Sequence, residues 1–373
     1  MMTPRERFLA VMRGEITDRV PLELPGFHYA SREDLAHVEN PRKREIVERV
    51  FDQLHFSVDV KNDHNRFLCT PPQRMREEHT TLPNGHRLTH GTIDTPKGEL
   101  TFDWHVDPDV GTGWMVKYPC ETREDIEKIQ SVPWERPPDI VPPDMENLPE
   151  GFADRGLVTT HLSSPFVCVA AMMKYDTFLE MCATDLEWIR ELTEVVLQRE
   201  LDLLDAVFAE PGIEYVWMGG SEWVTPPMGS PNLYDTLVQG PERAIIERIK
   251  SLGNAIAHIH CHGNIRHALP RTIERGGDYT EPVEPPPDGD ITLAEAKELA
   301  RGRIALGGNV EARLLHNENE AAVERASRAA FEGGKRRFVF RPSEGHTPHL
   351  PDREYRNWMT AIDVWEELSS LEG

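Results

Sequence analysis

The nonapeptide Ala255-Ile256-Ala257-His258-Ile259-His260-Cys261-His262-Gly263 reads as a short apolar run that ends in histidines. A run of that length without polar alternation fits a strand buried on both faces, as in a parallel sheet covered by helices. Working outward, seven further strand-like runs recur: Arg19–Leu24, Phe56–Val60, Leu157–His161, Glu214–Met218, Tyr279–Val283, Arg303–Leu306 and Arg337–Phe340. Helical periodicity separates most of them, at Pro41–Leu54, Glu187–Glu210, Pro241–Leu252 and Glu318–Phe331. Thr184-Asp185-Leu186-Glu187 and Thr292-Leu293-Ala294-Glu295 have capping-box spacing at helix starts. Alternating strand and helix implies a parallel sheet. Eight strands, with no Gly-rich dinucleotide fingerprint after any of them, predict an α/β fold of the (β/α)8 TIM-barrel type, spanning residues 1–373 as a single domain.

Residues 64–120 break the rhythm. Turn signals at Pro83-Asn84-Gly85 and Pro96-Lys97-Gly98 flank alternating segments, which predicts β-hairpins inserted after the second strand as a cap over the catalytic face. Pro133–Pro149 reads as a surface connector.

The bulk numbers narrow the partners. In 373 residues, 39% are hydrophobic and 28% charged, so a large core is available. A formal charge of −23 excludes nucleic acid and anionic membrane as expected partners and leaves a small-molecule substrate. No signal-peptide pattern opens the chain, and the five scattered cysteines form no C-x-x-C pair. A cytoplasmic protein with reduced thiols is expected.

In a barrel, side chains just beyond each strand converge on one mouth. That rule gathers Asp59, Asp63 and His64, then His161, Glu222, the His258–His262 run, Asn309, Glu311 and His346. His260 and His262 lie two apart and face the same way along a strand, so both imidazoles can reach one metal ion. His346, from the last strand, supplies a third ligand of a catalytic zinc, and Glu222 a fourth ligand or general base. Hydrogen bonding among these histidines without a metal is the competing reading.

The ordered motifs resemble the uroporphyrinogen decarboxylase superfamily. They are Thr3-Pro4-Arg5-Glu6-Arg7-Phe8 through Arg19-Val20-Pro21, Thr95-Pro96-Lys97-Gly98-Glu99-Leu100, Ser230-Pro231, and Gly289-Asp290-Ile291-Thr292-Leu293. The resemblance spans nearly the whole chain and implies a (β/α)8 barrel, with a homodimer as the expected assembly. It leans toward the zinc-dependent, cobalamin-linked methyltransferase branch. That branch implies a methyl group moved between a small donor, or a corrinoid carried on a partner protein, and an acceptor. Its H-x-C motif and final cysteine are replaced by His260-x-His262 and His346, a harder ligand set. The alternative is a carboxy-lyase acting on a porphyrinogen or another carboxylated substrate, with His346 and Asp63 catalytic. After the first strand, Leu22-Glu23-Leu24-Pro25-Gly26-Phe27-His28-Tyr29 stands where that branch places carboxylate-binding arginines. His28, Tyr29, His161 and Asn309 are the expected substrate-binding residues.

Overall fold

A single parallel sheet organises the chain. The computed structural model describes residues 2–60, 67, 74–108, 112–137, 140, 147–209 and 212–371. In chain order the strands are β1 (Phe56–Asp59), β2 (Met75–Thr81), β3 (Arg87–Thr95), β4 (Gly98–Asp107), β5 (Thr112–Lys117) and β6 (Gly156–Ser163). There follow β7 (Tyr215–Gly219), β8 (Ile256–His260), β9 (Tyr279–Glu281), β10 (Ala305–Val310) and β11 (Phe338–Pro342). Seven of these pair in parallel, in the order β1-β6-β7-β8-β9-β10-β11. The architecture is α/β, a curled parallel sheet of TIM-like form.

The expected strand at Arg19–Leu24 does not extend this ladder. It touches β11 through one parallel bridge, Leu22 to Phe340, with Glu23 N–H donating to Phe340 O at 3.0 Å and Phe340 N–H to Pro21 O at 3.0 Å. Pro21 and Pro25 carry no N–H, which cuts the pairing short. The gap toward β1 is stitched by a side chain instead. Buried Arg155 donates to Leu54 O (2.9 Å), Ala30 O (3.3 Å) and Tyr29 O (2.8 Å), and its guanidinium lies 3.7 Å from the centre of the Phe51 ring.

Residues alternate between two faces. On β7 and β8, Val216, Met218, Ala257 and Ile259 join the large core beneath the helices. Tyr215 and Ile256 point the other way, into a second cluster with Leu157, Tyr279, Ala305 and Val339. The helix Pro4–Arg13 inserts Phe8, Leu9, Val11 and Met12 into that same cluster. Its capping box at Thr3 and Glu6, with Pro4 at the first position, sets the helix start. One end of the curl, at the strands' first residues, is therefore plugged with apolar side chains, and the open end lies at the strands' carboxyl termini.

Other expectations need correction. Between 75 and 117, in the stretch expected to hold inserted hairpins, consecutive strands pair antiparallel into one four-stranded sheet, β2-β3-β4-β5, with turns at 82–86 and 96–97. Thr184 does not cap the following helix; Asp185 does, accepting from Trp188 N, while Thr184 Oγ1 bonds back to Glu180 O. At Thr292 the capping box is present. The strand read as Arg303–Leu306 runs on to Val310, because Gly307 is a close-approach position rather than a strand end. A Cβ there would meet Tyr279 Oη at 2.2 Å. Cys120, Cys168, Cys182 and Cys261 are all buried, whereas Cys69 lies outside the described residues. Among the described residues, no helix is long and apolar enough to cross a membrane.

Candidate functional site

The inward face of the strands turns from apolar to polar within one residue pair. On β8, Ile256 belongs to the apolar plug, while His258 and His260 line a cavity of about 460 Å³ above it. Neighbouring strands make the same change: Leu157 is followed by Thr159 and His161, Tyr279 by Glu281, and Val339 by Arg341. Trp217 on β7 forms part of the wall.

Glu281 is the hub of the lower tier. It is 1% exposed and meets three partners: His260 Nδ1 lies 2.8 Å and His258 Nε2 2.9 Å from its Oε1, and Arg341 Nη1 pairs with its Oε2. Burial alone would raise this carboxyl, but Arg341, His260 and His258 outweigh it and hold the group well below the usual carboxylate range. An ionised carboxylate only accepts, so His260 Nδ1, which hydrogen-bonds it, carries hydrogen, whereas His258 Nε2 is close but makes no hydrogen bond. His258 Nδ1 faces the Tyr215 hydroxyl at 2.5 Å, and burial, with Glu23 and Glu281 nearby, keeps that hydroxyl protonated. On His260 the same logic leaves Nε2 with the free lone pair.

One level higher, His262 repeats the arrangement. Its Nδ1 lies 3.1 Å from Glu284 Oε2, which also accepts from Gly263 N–H at 2.8 Å. Burial pulls the imidazole down, yet Glu284 outweighs it and raises its pKa above the ordinary value. The two rings, of His260 and His262, stand edge to face with centres 4.6 Å apart. Glu222 follows β7 and feels both imidazoles, but burial dominates and raises its carboxyl. Its Oε2 is buried with no hydrogen-bond partner. Asn309 is 4% exposed and neither atom of its amide has a partner. It shares the inward face of Gly307, two residues before it on β10. Unpartnered buried polar atoms cost stability, so these atoms, near the carboxyl ends of β7 and β10, mark places for a ligand.

The structure gathers some expected site residues and separates others. His260 and His262 stand together, and Glu222 is near enough to feel both. His161 lines the cavity, with its Nε2 3.2 Å from Asp59 Oδ1. His28 lines it too, its Nδ1 2.8 Å from His55 O, and burial lowers its pKa. Tyr29 does not line the cavity; its ring faces Lys43 Nζ at 5.5 Å. His346 is held apart, with Nδ1 donating to Thr347 O at 2.6 Å and its ring 4.8 Å from that of Phe27. Among the described residues no three His, Cys, Asp or Glu side chains converge to hold a metal, so His260, His262 and His346 do not assemble as a trio. Asp63 and His64 lie outside the described residues. None of the cavity's described lining comes from the β2–β5 sheet expected to cap it.

Sequence reasoning missed Glu23, Glu281, Glu284 and Arg341. Glu281 and Glu284 were both open to the strand-end rule, since Glu284 follows the run Tyr279–Val283 directly and Glu281 ends the strand that forms there. Glu23 sits inside the run Arg19–Leu24 and Arg341 one residue past Arg337–Phe340, and neither was assigned a site role.

Comparison with known proteins fits this frame. Residues 102–365, well over half of the chain, match the family model described as uroporphyrinogen decarboxylase (URO-D). A solved methyltransferase from Methanosarcina mazei is similar at 15% identity and a TM-score of 0.59, with 98% of this chain and 99% of that one covered. A B12-independent methionine synthase from Shewanella sp. W3-18-1, solved with selenomethionine, aligns at 11% identity and a TM-score of 0.39, over 79% of this chain and 76% of that one. No curated protein matches the chain. The family model thus assigns what the strand order and the polar mouth suggested: the chain belongs to the uroporphyrinogen decarboxylase family.

Proposed function

We propose that the chain is a methyl-transferring enzyme in which His260 and His262 bind a metal ion through Nε2, with the segment around Leu22 closing the parallel sheet into an eight-stranded ring. One observation carries the reading: each imidazole gives Nδ1 to its own carboxylate, Glu281 or Glu284, and keeps Nε2 free. Metal-binding histidines are oriented in this way. The pair supplies two of the three protein ligands usual for catalytic zinc. His346 is held away from that role, and among the described residues no further His, Cys, Asp or Glu converges with the pair, so water or substrate fills the remaining positions in this reading. A metal there would lower the pKa of a bound thiol or water.

The remaining work falls to the chain's own side chains. Glu281 and Glu284 fix ring orientation and tautomer. Glu222, whose carboxyl pKa burial raises, can keep or release a proton there. The free amide of Asn309 offers one donor and one acceptor to a substrate. The donor of the methyl group is a small methylated compound or a corrinoid on a partner protein. The lyase reading fares worse, because the one Lys or Arg in the described cavity lining is Arg341, and Glu281 already engages it. A porphyrinogen bearing several carboxylates needs more free cations than that.

Metal analysis of the purified chain tests this reading. About one zinc per chain is expected, and the double variant His260→Ala, His262→Ala should lose it while keeping its melting temperature within a few degrees. Unchanged metal content in that variant, or rapid carbon dioxide release from uroporphyrinogen, would overturn it.

A further inference from the structure

The cavity's charge is one-sided. Its described lining holds two carboxylates, Glu23 and Glu281, against the single guanidinium of Arg341. That guanidinium is committed to Glu281, and its Nη1 lies 3.8 Å from Glu23 Oε1. Glu23 has one further partner, the Tyr279 hydroxyl at 3.1 Å, and its side chain stays 14% exposed. His28 and His55, on the same wall, are held neutral by burial. An anion entering here would lose its water and gain no free cation. A cation meets the Glu23 carboxylate and the π-surface of Trp217, which lines the cavity 5.1 Å from the His260 ring. The formal charge of −23 adds a long-range pull of the same sign.

We infer that this cavity binds a small organic cation of the methylated-ammonium class, held between Glu23 and Trp217. Identifying that cation as the methyl donor rests on the proposed methyl transfer; its binding does not. The size agrees: about 460 Å³ lies within the range of small-ligand pockets and is ample for a trimethylammonium group with a short tail.

Titration calorimetry of the full chain with choline, and with dimethylbutanol, in which carbon replaces the charged nitrogen, provides the test. Choline should bind at least about tenfold more tightly than its neutral counterpart. Trp217→Leu and Glu23→Gln should each remove about tenfold of choline affinity while circular dichroism stays unchanged. Equal affinity for the two compounds, no saturable choline binding at millimolar concentration, or tighter binding of acetate than of choline would overturn the inference. The wild-type comparison decides even if a variant misfolds. Because metal content is not part of the readout, failure here leaves the ligand assignment at His260 and His262 standing, and failure there leaves this one.

Discussion

The two ends of the parallel sheet are built from the same strands and obey opposite rules. At the amino-terminal end Leu157, Tyr215, Ile256, Tyr279, Ala305 and Val339 pack against Phe8 and its neighbours on the first helix. Two residues further along each strand stand Thr159, Trp217, His258, Glu281, Gly307 and Arg341. Two further still come His161, His260 and Asn309, and the amide of Asn309 is left without a partner. One end maximises contact, whereas the other keeps hydrogen-bonding capacity unspent. The lesson is that stability and chemistry are separated along each strand, so substitutions should separate them as well.

The most severe test is Phe8→Ala. Phe8 is 1% exposed and its ring contacts those of His55, Tyr215 and Tyr279. Truncation should cost about 3–5 kcal/mol in denaturant unfolding. A loss below about 1 kcal/mol would mean that the plug is not the stable end.

A smaller effect is expected at Glu200, which lies in the helix Leu186–Val207, fully buried, with both carboxylate oxygens unpartnered. Burial, reinforced by Glu242, raises its carboxyl well above the ordinary value. A raised folded-state pKa gives stability that is whole below the unfolded value and is lost as pH rises through the folded one. Glu200→Gln should therefore be near neutral around pH 4 and become stabilising, by about 1–3 kcal/mol, as pH climbs from the unfolded value to the folded one. Thermal melts across that range would show it. A gain that is largest in acid would contradict the assigned direction.

The smallest stability change belongs to the mouth. Asn309→Ala removes an amide that bonds nothing, so unfolding free energy should shift by no more than about 0.5 kcal/mol, while substrate affinity falls. Should it destabilise as Phe8→Ala does, the division between the two ends would fail.

Much of the fold was legible because parallel strands covered on both faces must be continuous and apolar, as at Ile256–Ile259. The first strand was over-read: its apolar residues are right, but two prolines withhold the donors that a ladder needs. At the site, His260 and His262 stood out because a period of two is visible in a sequence. Glu281 and Arg341 did not, since their pairing depends on how far one strand is staggered against others tens of residues away. His346 shows the converse. Its place after the last strand was read correctly, but the loop carries its ring to Phe27, and a position in sequence does not fix the aim of a side chain.

The helix Pro4–Arg13 has a temporal consequence. Phe8 is synthesised about 330 residues before Val339, a member of the cluster it enters. That helix must wait, with its apolar side chains not fully covered, until β11 has followed it out of the ribosome. Nascent chains halted before β11 should accordingly be sticky, and their capture by general chaperones should end once that strand is released.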